Sequence, residues 1–263
     1  MGILRFIFAS IVLRFKNQII FRGSFFLKFL GEIAYIVIYF LFFQIIFAHT
    51  ESIGGWNKGM VFMLIGSAGI VFSIFSALAN AGAGSIMQLV RKGGIELMFL
   101  KPLPAPFFIL FRFASIADLL GLLVPLSIFI YGLRLYGSIN FIPLILWVIS
   151  ILISFFIYSS LHLLLGLLSF RFIRISGLYW MLGDFADLGK YPNTIFPLFL
   201  RNFLLYFLPV LMVSNFPVLI YVGRFHLLFV QIILLALFVI LLFIFFPIAR
   251  RIYQGAGTYE IGA

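Results

Sequence analysis

A few ionisable side chains stand inside stretches that are otherwise continuous hydrocarbon, and they are the first candidates for chemistry. Asp118 falls near the middle of an apolar run. A carboxylate at bilayer depth costs several kcal/mol unless it is paired, protonated or wetted, so Asp118 is an intramembrane functional candidate, with an interhelical hydrogen bond as the plainer alternative. Arg112 stands six residues earlier, off the same helical face, and is expected to snorkel toward the inner surface. His162 is the second intramembrane polar candidate, and a lone imidazole there reads as a packing residue rather than a proton relay. Asp184 and Asp187 share a helix face, but no further oxygen or nitrogen donors are spaced to complete a metal shell, which leaves surface or capping roles. With no cysteine in the chain, disulfides, thiolate metal sites and cysteine nucleophiles are excluded. A phosphate-cradling G-x-x-x-x-G-K-[ST] loop and an H-E-x-x-H metal motif are both missing, and Gly66-Ser67-Ala68-Gly69 is not a G-x-S-x-G elbow. The reading is a chain with no catalytic, cofactor-binding or metal residues of its own.

The elements that must position these groups are membrane helices. The 263 residues are 65% hydrophobic and 10% charged, with mean hydropathy +1.26. A soluble domain carries about 25% charged residues, so an all-α polytopic membrane protein is expected. The net charge of +11 points, in so apolar a chain, to the inner membrane face and anionic lipid headgroups rather than to nucleic acid. Six spans are expected, at 24–48, 60–80, 107–131, 141–169, 172–190 and 227–247, the fifth being weak. Residues 1–22 have no uncharged stretch long enough to cross, lack a small-residue cleavage site after an apolar core, and read as a retained interfacial helix. Lys28 and Glu32 are one helical turn apart and can pair.

The second span is rich in small residues (Gly66, Ser67, Ala68, Gly69, Ser73, Ser76, Ala77, Ala79), which allow close helix approach where lipid supplies no hydrophobic drive. It is read as central in the monomer, with contact to a partner subunit as the alternative. Residues 191–223 are apolar enough to cross, yet Pro192, Pro197, Pro209 and Pro217 interrupt them and Arg201 and Asn202 lie inside. Broken helices at membrane depth need protein or water around their freed backbone groups, so this region reads as re-entrant half-helices on the outer side. With six crossings, thirteen of the 18 Lys and Arg fall inside and only Lys58, Arg134, Lys190, Arg201 and Arg224 outside, which places both termini in the cytoplasm.

Residues 82–106 form the longest water-facing segment on the basic side. Ser85 can cap a short helix whose apolar face is Ile86, Leu89 and Val90. Arg91 and Lys92 suit its last turn, and Gly93-Gly94 stops it. A second turn, from Ile95 through Leu97 to Leu100, has Glu96 at its start and ends at Lys101-Pro102; Pro104 and Pro106 then delay the next helix. Two stubby amphipathic helices at a membrane surface make a shape another protein can grip.

The run GGIELMFLKPLPAPFFILFR resembles the cytoplasmic loop of ABC-2-type export permeases. The block from Asp184 to Gly223 is similar to the Tyr-Pro and repeated-Pro region these permeases carry before their last span, and with chain length and span count the resemblance covers nearly the whole chain. It implies an ABC-2, type V exporter-like fold whose N-terminal interfacial element matches the family's elbow helix. It also implies a pair of permeases, identical or paralogous, in a prokaryotic cell membrane with a separate dimer of ABC ATPase subunits that carries the ATP and Mg. Ser85, Ile86, Leu89, Arg91, Lys92, Gly94, Glu96, Leu97, Leu100, Lys101 and Pro102 would then form the ATPase-coupling loop. The 37 phenylalanines favour a lipid-like or amphipathic cargo. The alternatives are a membrane enzyme acting on lipid, which would need clustered carboxylates or histidines, and an ATP-independent transporter.

Overall fold

A computed structural model describes residues 22–92, 94–99, 105–115, 117–172 and 175–252. The expected interfacial helix at 1–22, the coupling residues Leu100, Lys101 and Pro102, and the C-terminal tail lie outside the described residues, as do the side chains of Lys28, Glu32, Leu97 and Asp118.

Helix α1 (Arg22–His49) leads into a hairpin, β1 (Ser52–Ile53) and β2 (Trp56–Asn57), with Ser52 opposite Asn57 and Ile53 opposite Trp56. Its two turn residues, Gly54 and Gly55, both have positive φ (55° and 82°), the geometry that tight two-residue hairpins require. Asn57 then caps α2 (Lys58–Phe75) by accepting from the Met60 amide at 2.9 Å. A π-turn, Ser76–Asn80, joins α2 to α3 (Ala81–Arg91), and α4 (Glu96–Phe99) and α5 (Ala105–Phe111) follow. A 3-10 turn (Ala117–Leu122) opens α6 (Leu123–Tyr136), which Gly137 closes with φ 83°. Next come α7 (Phe141–Leu167), α8 (Ser176–Ala186) with a 3-10 extension (Asp187–Lys190), and α9 (Leu198–Asn202), which runs into a π-turn (Phe203–Phe207). The last two helices are α10 (Val210–Tyr221) and α11 (His226–Ile252).

The α2 helix is the centre of the protein. Every residue from Val61 to Val71 is buried, against α6, α7 and α10. The small residues do this work inside the subunit: a Cβ on Gly66 would lie 2.6 Å from the Phe129 backbone, one on Gly132 2.5 Å from the Met63 amide nitrogen, and one on Gly59 2.7 Å from that of Tyr136. Two polar pairs tie α7 to its neighbours, Trp147 Nε1 donating to Ser67 Oγ of α2 (2.9 Å) and Ser150 Oγ to Gln231 Oε1 of α11 (2.6 Å). The outward faces of α7 and α11, by contrast, are Phe, Ile, Leu and Val exposed in rows, as lipid contact demands.

Among the described residues four helices are long and apolar enough to cross a membrane: Lys58–Arg91, Leu119–Tyr136, Phe141–Phe170 and His226–Ala249. The bent pair Leu198–Phe207 and Val210–Tyr221 would make a fifth if it counts as one span, and Ile33–His49 of α1 is a shorter apolar helix. The chain is therefore an all-α polytopic membrane protein, although three expected segments take another form. The second does not end at residue 80. It continues unbroken to Arg91, a 34-residue helix, because nothing in 81–91 forbids helix and Ile86 packs on Gly166. The third is not one helix over 107–131: α5 stops at Phe111, and the Ser115 amide turns to the Ala77 carbonyl (2.8 Å) instead of continuing a helical ladder. The segment expected over 172–190 holds an α-helix of only 11 residues, roughly 17 Å long, because the chain tightens into a 3-10 turn at Asp187.

The α1 helix ends and α11 begins at the hairpin face, where Tyr221 Oη also donates to the Ser138 carbonyl (2.7 Å).

Candidate functional site

On the α3 face, α3, α4 and α5 pack into one elbow. A Cβ on Gly82 would collide with the Leu110 and Ile109 carbonyl oxygens, so the backbones of α3 and α5 touch. Ile86, Met87, Ile95 and Met98 point into this body, while Gln88, Arg91, Lys92 and Glu96 are exposed. Leu89 and Val90 are half-buried, and Leu89 lies against Gly94. Arg112 is half-buried and directs Nη1 to Met98 Sδ (3.2 Å), fastening α4 to the end of α5, with its guanidinium 4.3 Å over the Phe113 ring. Ser85 takes a different position from the expected cap. It sits inside α3, and its hydroxyl donates back to the Gly82 carbonyl (2.6 Å), because the helix begins a whole span earlier.

Asp118 lies in the 3-10 turn before α6 rather than in the middle of a continuous helix. His162 is buried on α7. Its ring packs against Phe75 and Tyr158 (centroids 4.4 Å each) and Tyr179 (5.0 Å), and Nδ1 lies 3.0 Å from the Tyr158 carbonyl. That carbonyl can only accept, so Nδ1 carries the proton. The structure thus brings His162 beside the π-turn and away from the exposed end of the elbow.

The proline-rich region forms a bent hairpin, α9 with its π-turn lying at 91° to α10. Pro197 and Pro209 precede α9 and α10, and Pro192 precedes the 3-10 turn at Asn193. Pro217 does not break the chain; α10 runs through it. All 12 residues of α10 are buried, so the backbone group that this proline frees is covered by protein. Ser214 Oγ donates to the Gly189 carbonyl (2.6 Å), the Asn193 amide to Asn215 Oδ1 (2.8 Å), and Asn215 Nδ2 to the Tyr191 carbonyl (3.3 Å).

Sequence reasoning missed Lys190. Counted among the outer loop charges, it is only 3% exposed. Its Nζ bonds Asp187 Oδ1 (2.8 Å) and lies 3.8 Å and 4.2 Å from the ring centres of Tyr35 and Tyr39. The i,i+3 spacing of Asp187 and Lys190 was the available signal; the tyrosines come from α1, more than a hundred residues away, and gave none. Asn80 and Tyr179 were missed for the same reason. The Tyr179 hydroxyl is forked between Asn80 Oδ1 (2.9 Å) and the Asn80 carbonyl (3.1 Å).

The family described as "ABC-2 family transporter protein" matches residues 33–257. The chain belongs to the ABC-2 transporter family. This permease is thus the membrane subunit of an ABC transporter, and membership implies an ABC ATPase as its partner. Comparison with the curated proteins and with the solved structures finds no match. In the permease, the described groups hold helices together: hydroxyls and amides bonded across helix pairs and one imidazole bonded within α7 and packed against Phe75 and Tyr179, with no group of three His, Cys, Asp or Glu placed to hold a metal among the described residues.

Proposed function

We propose that this permease works as one of a pair, identical or paralogous, that exports a lipid-like or amphipathic substrate across a prokaryotic cell membrane when a separate ATPase dimer, carrying ATP and Mg, presses on the α3–α5 elbow. One observation carries the reading: α2, part of the most buried of the four membrane-length helices, continues through its π-turn into α3 without a loop. At 1.5 Å per residue the 34 residues reach roughly 50 Å, well past a hydrocarbon core of about 30 Å. A push on the exposed Gln88, Arg91, Lys92 and Glu96 surface is therefore carried along α3, with no loop to absorb it, to the π-turn at the edge of the core. Both termini would lie in the cytoplasm, on the elbow side, with the α9–α10 hairpin facing out.

The test is detergent purification of the permease with the ATPase chain expressed from the same cell. Wild-type protein is expected to copurify a P-loop-bearing chain and raise its ATP turnover, whereas Glu96→Arg, a charge reversal on an exposed position, is expected to remain folded and inserted yet lower that stimulation about tenfold, the weight of roughly 1.4 kcal/mol. Transport or conduction by the permease purified alone would refute the reading.

A further inference from the structure

We infer that Tyr179 is the positioning residue that carries motion from the elbow to the α9–α10 hairpin, acting at a joint where two helical segments yield at the same depth; the inference rests on the elbow being the driven element. The joint is visible in the backbone. Helical pairing shifts to a π-turn at Ser76–Asn80, between α2 and α3. Opposite it, α5 ends at Phe111 and helix resumes at Ala117. The two discontinuities are tied by the Ser115 amide on the Ala77 carbonyl (2.8 Å). Above this level α2 and α6 touch backbone to backbone; below it α3 and α5 do the same at Gly82. Two rigid blocks thus meet along a line held by hydrogen bonds, and π-turns are common where helices must re-aim.

The α8 helix packs on α7 and α10 and meets that line through Tyr179. Near its lower end Tyr179 grips Asn80, the last residue of the π-turn, through the forked bond. Gly84 leaves room for the phenol, whose oxygen lies 3.5 Å from where a Cβ would be. The aromatic rings of Phe75, Tyr158 and His162 wall the site, so the tyrosine cannot swing away while α3 moves. At its upper end α8 has no slack. A Cβ on Gly189 would stand 2.8 Å from Ser214 Oγ and 2.9 Å from the Val210 carbonyl oxygen, both on α10, and Lys190 is clasped by Asp187 and the two tyrosines of α1. A displacement of α3 about the π-turn therefore pulls on Tyr179, travels along α8, and arrives at Gly189 and Asn215, the fastenings of the hairpin. The route requires the Tyr179 hydroxyl; the ring alone packs but does not pull.

Hydrogen–deuterium exchange of the permease–ATPase complex in lipid nanodiscs, with and without ATP and Mg, reads both ends. In the wild type, nucleotide is expected to shift exchange in 81–99 and also in 198–221. Tyr179→Phe keeps the ring and loses only the hydroxyl: the shift in 81–99 is expected to persist and that in 198–221 to be lost. Asn80→Ala, made from the other side, is expected to weaken the second shift in the same direction. Trp147→Phe, which removes a more deeply buried bond to Ser67 away from the joint, is expected to retain both shifts, separating relay from general loosening. Both shifts surviving in Tyr179→Phe and Asn80→Ala would overturn the relay while leaving the exporter reading intact. A wild-type elbow that ignores nucleotide would overturn the exporter reading itself, and the relay with it.

Discussion

The seam between α2 and α6 and the joint at Ser76–Asn80 lie on the same long helix and are built on opposite principles. Along the seam, glycines let backbones meet with no room for a methyl group: Gly59 on Tyr136, Gly66 on Phe129, Gly132 on Met63. The joint has no glycine. There the helix is held by the Ser115 amide on Ala77 and by Tyr179 on Asn80, each a bond that can lengthen and re-form. Close packing has essentially one geometry, because contact energy falls off within an ångström of separation. A hydrogen bond between a phenol and an amide tolerates rotation. A machine that must move inside a membrane needs both, a block that keeps its shape and a line along which another block can turn.

The harshest way to break this contrast is to put a side chain into the seam. Gly132→Val drives a branched carbon against the Met63 and Gly59 backbones, where neither can yield, and is expected to cost about 3 kcal/mol or more, enough to abolish a monodisperse peak in fluorescence-detected size exclusion. Retention of normal stability would mean that the seam is looser than described. A smaller effect is expected at the third kind of contact, the buried cation. Lys190→Met leaves Asp187 without its partner and takes the charge from between two tyrosine rings, for a loss of about 2 kcal/mol, discounted because Asp187 is partly exposed. Adding Asp187→Asn is expected to restore most of it in thermal unfolding monitored by intrinsic fluorescence, since the neutral amide removes the carboxylate charge left without a partner. The smallest effect sharpens the contrast from the joint's own side. Gly84→Ala meets only the Tyr179 phenol at ordinary contact distance and is expected to shift stability by less than about 0.5 kcal/mol, the range of a tolerated substitution.

Much of this was legible without coordinates, though unevenly. The membrane class, the small-residue character of the second span and the proline-punctuated region after Asp184 are local or additive properties, and each corresponds to something in the structure: four long apolar helices, the α2–α6 seam, and the bent α9–α10 hairpin. Span boundaries were less legible. Hydropathy cannot tell a helix that continues from one that stops when both sides are apolar or small, so the chain past residue 80 read as a loop holding a short helix capped by Ser85, although Ala81–Arg91 continues α2. Residues 107–131 likewise read as one helix although the Ser115 amide is diverted to a carbonyl 38 positions back. Lys190 was misplaced because a charge count treats every lysine as solvated, whereas this one has a carboxylate and two aromatic faces to replace water.

The sequence by itself determined that the chain lives in a bilayer, that it is all helix, and which family it belongs to, because these follow from composition and from short runs whose meaning does not depend on distant residues. Tertiary structure alone decided that α2 and α3 are continuous helix jointed at a π-turn, that Tyr179 reaches Asn80 across 99 positions, and that Lys190 is a buried clasp. Lipid gives apolar helices no reason to prefer one neighbour over another. Their arrangement rests on which small residues let backbones touch and which buried polar groups find partners, and both are facts about pairs that no single stretch contains.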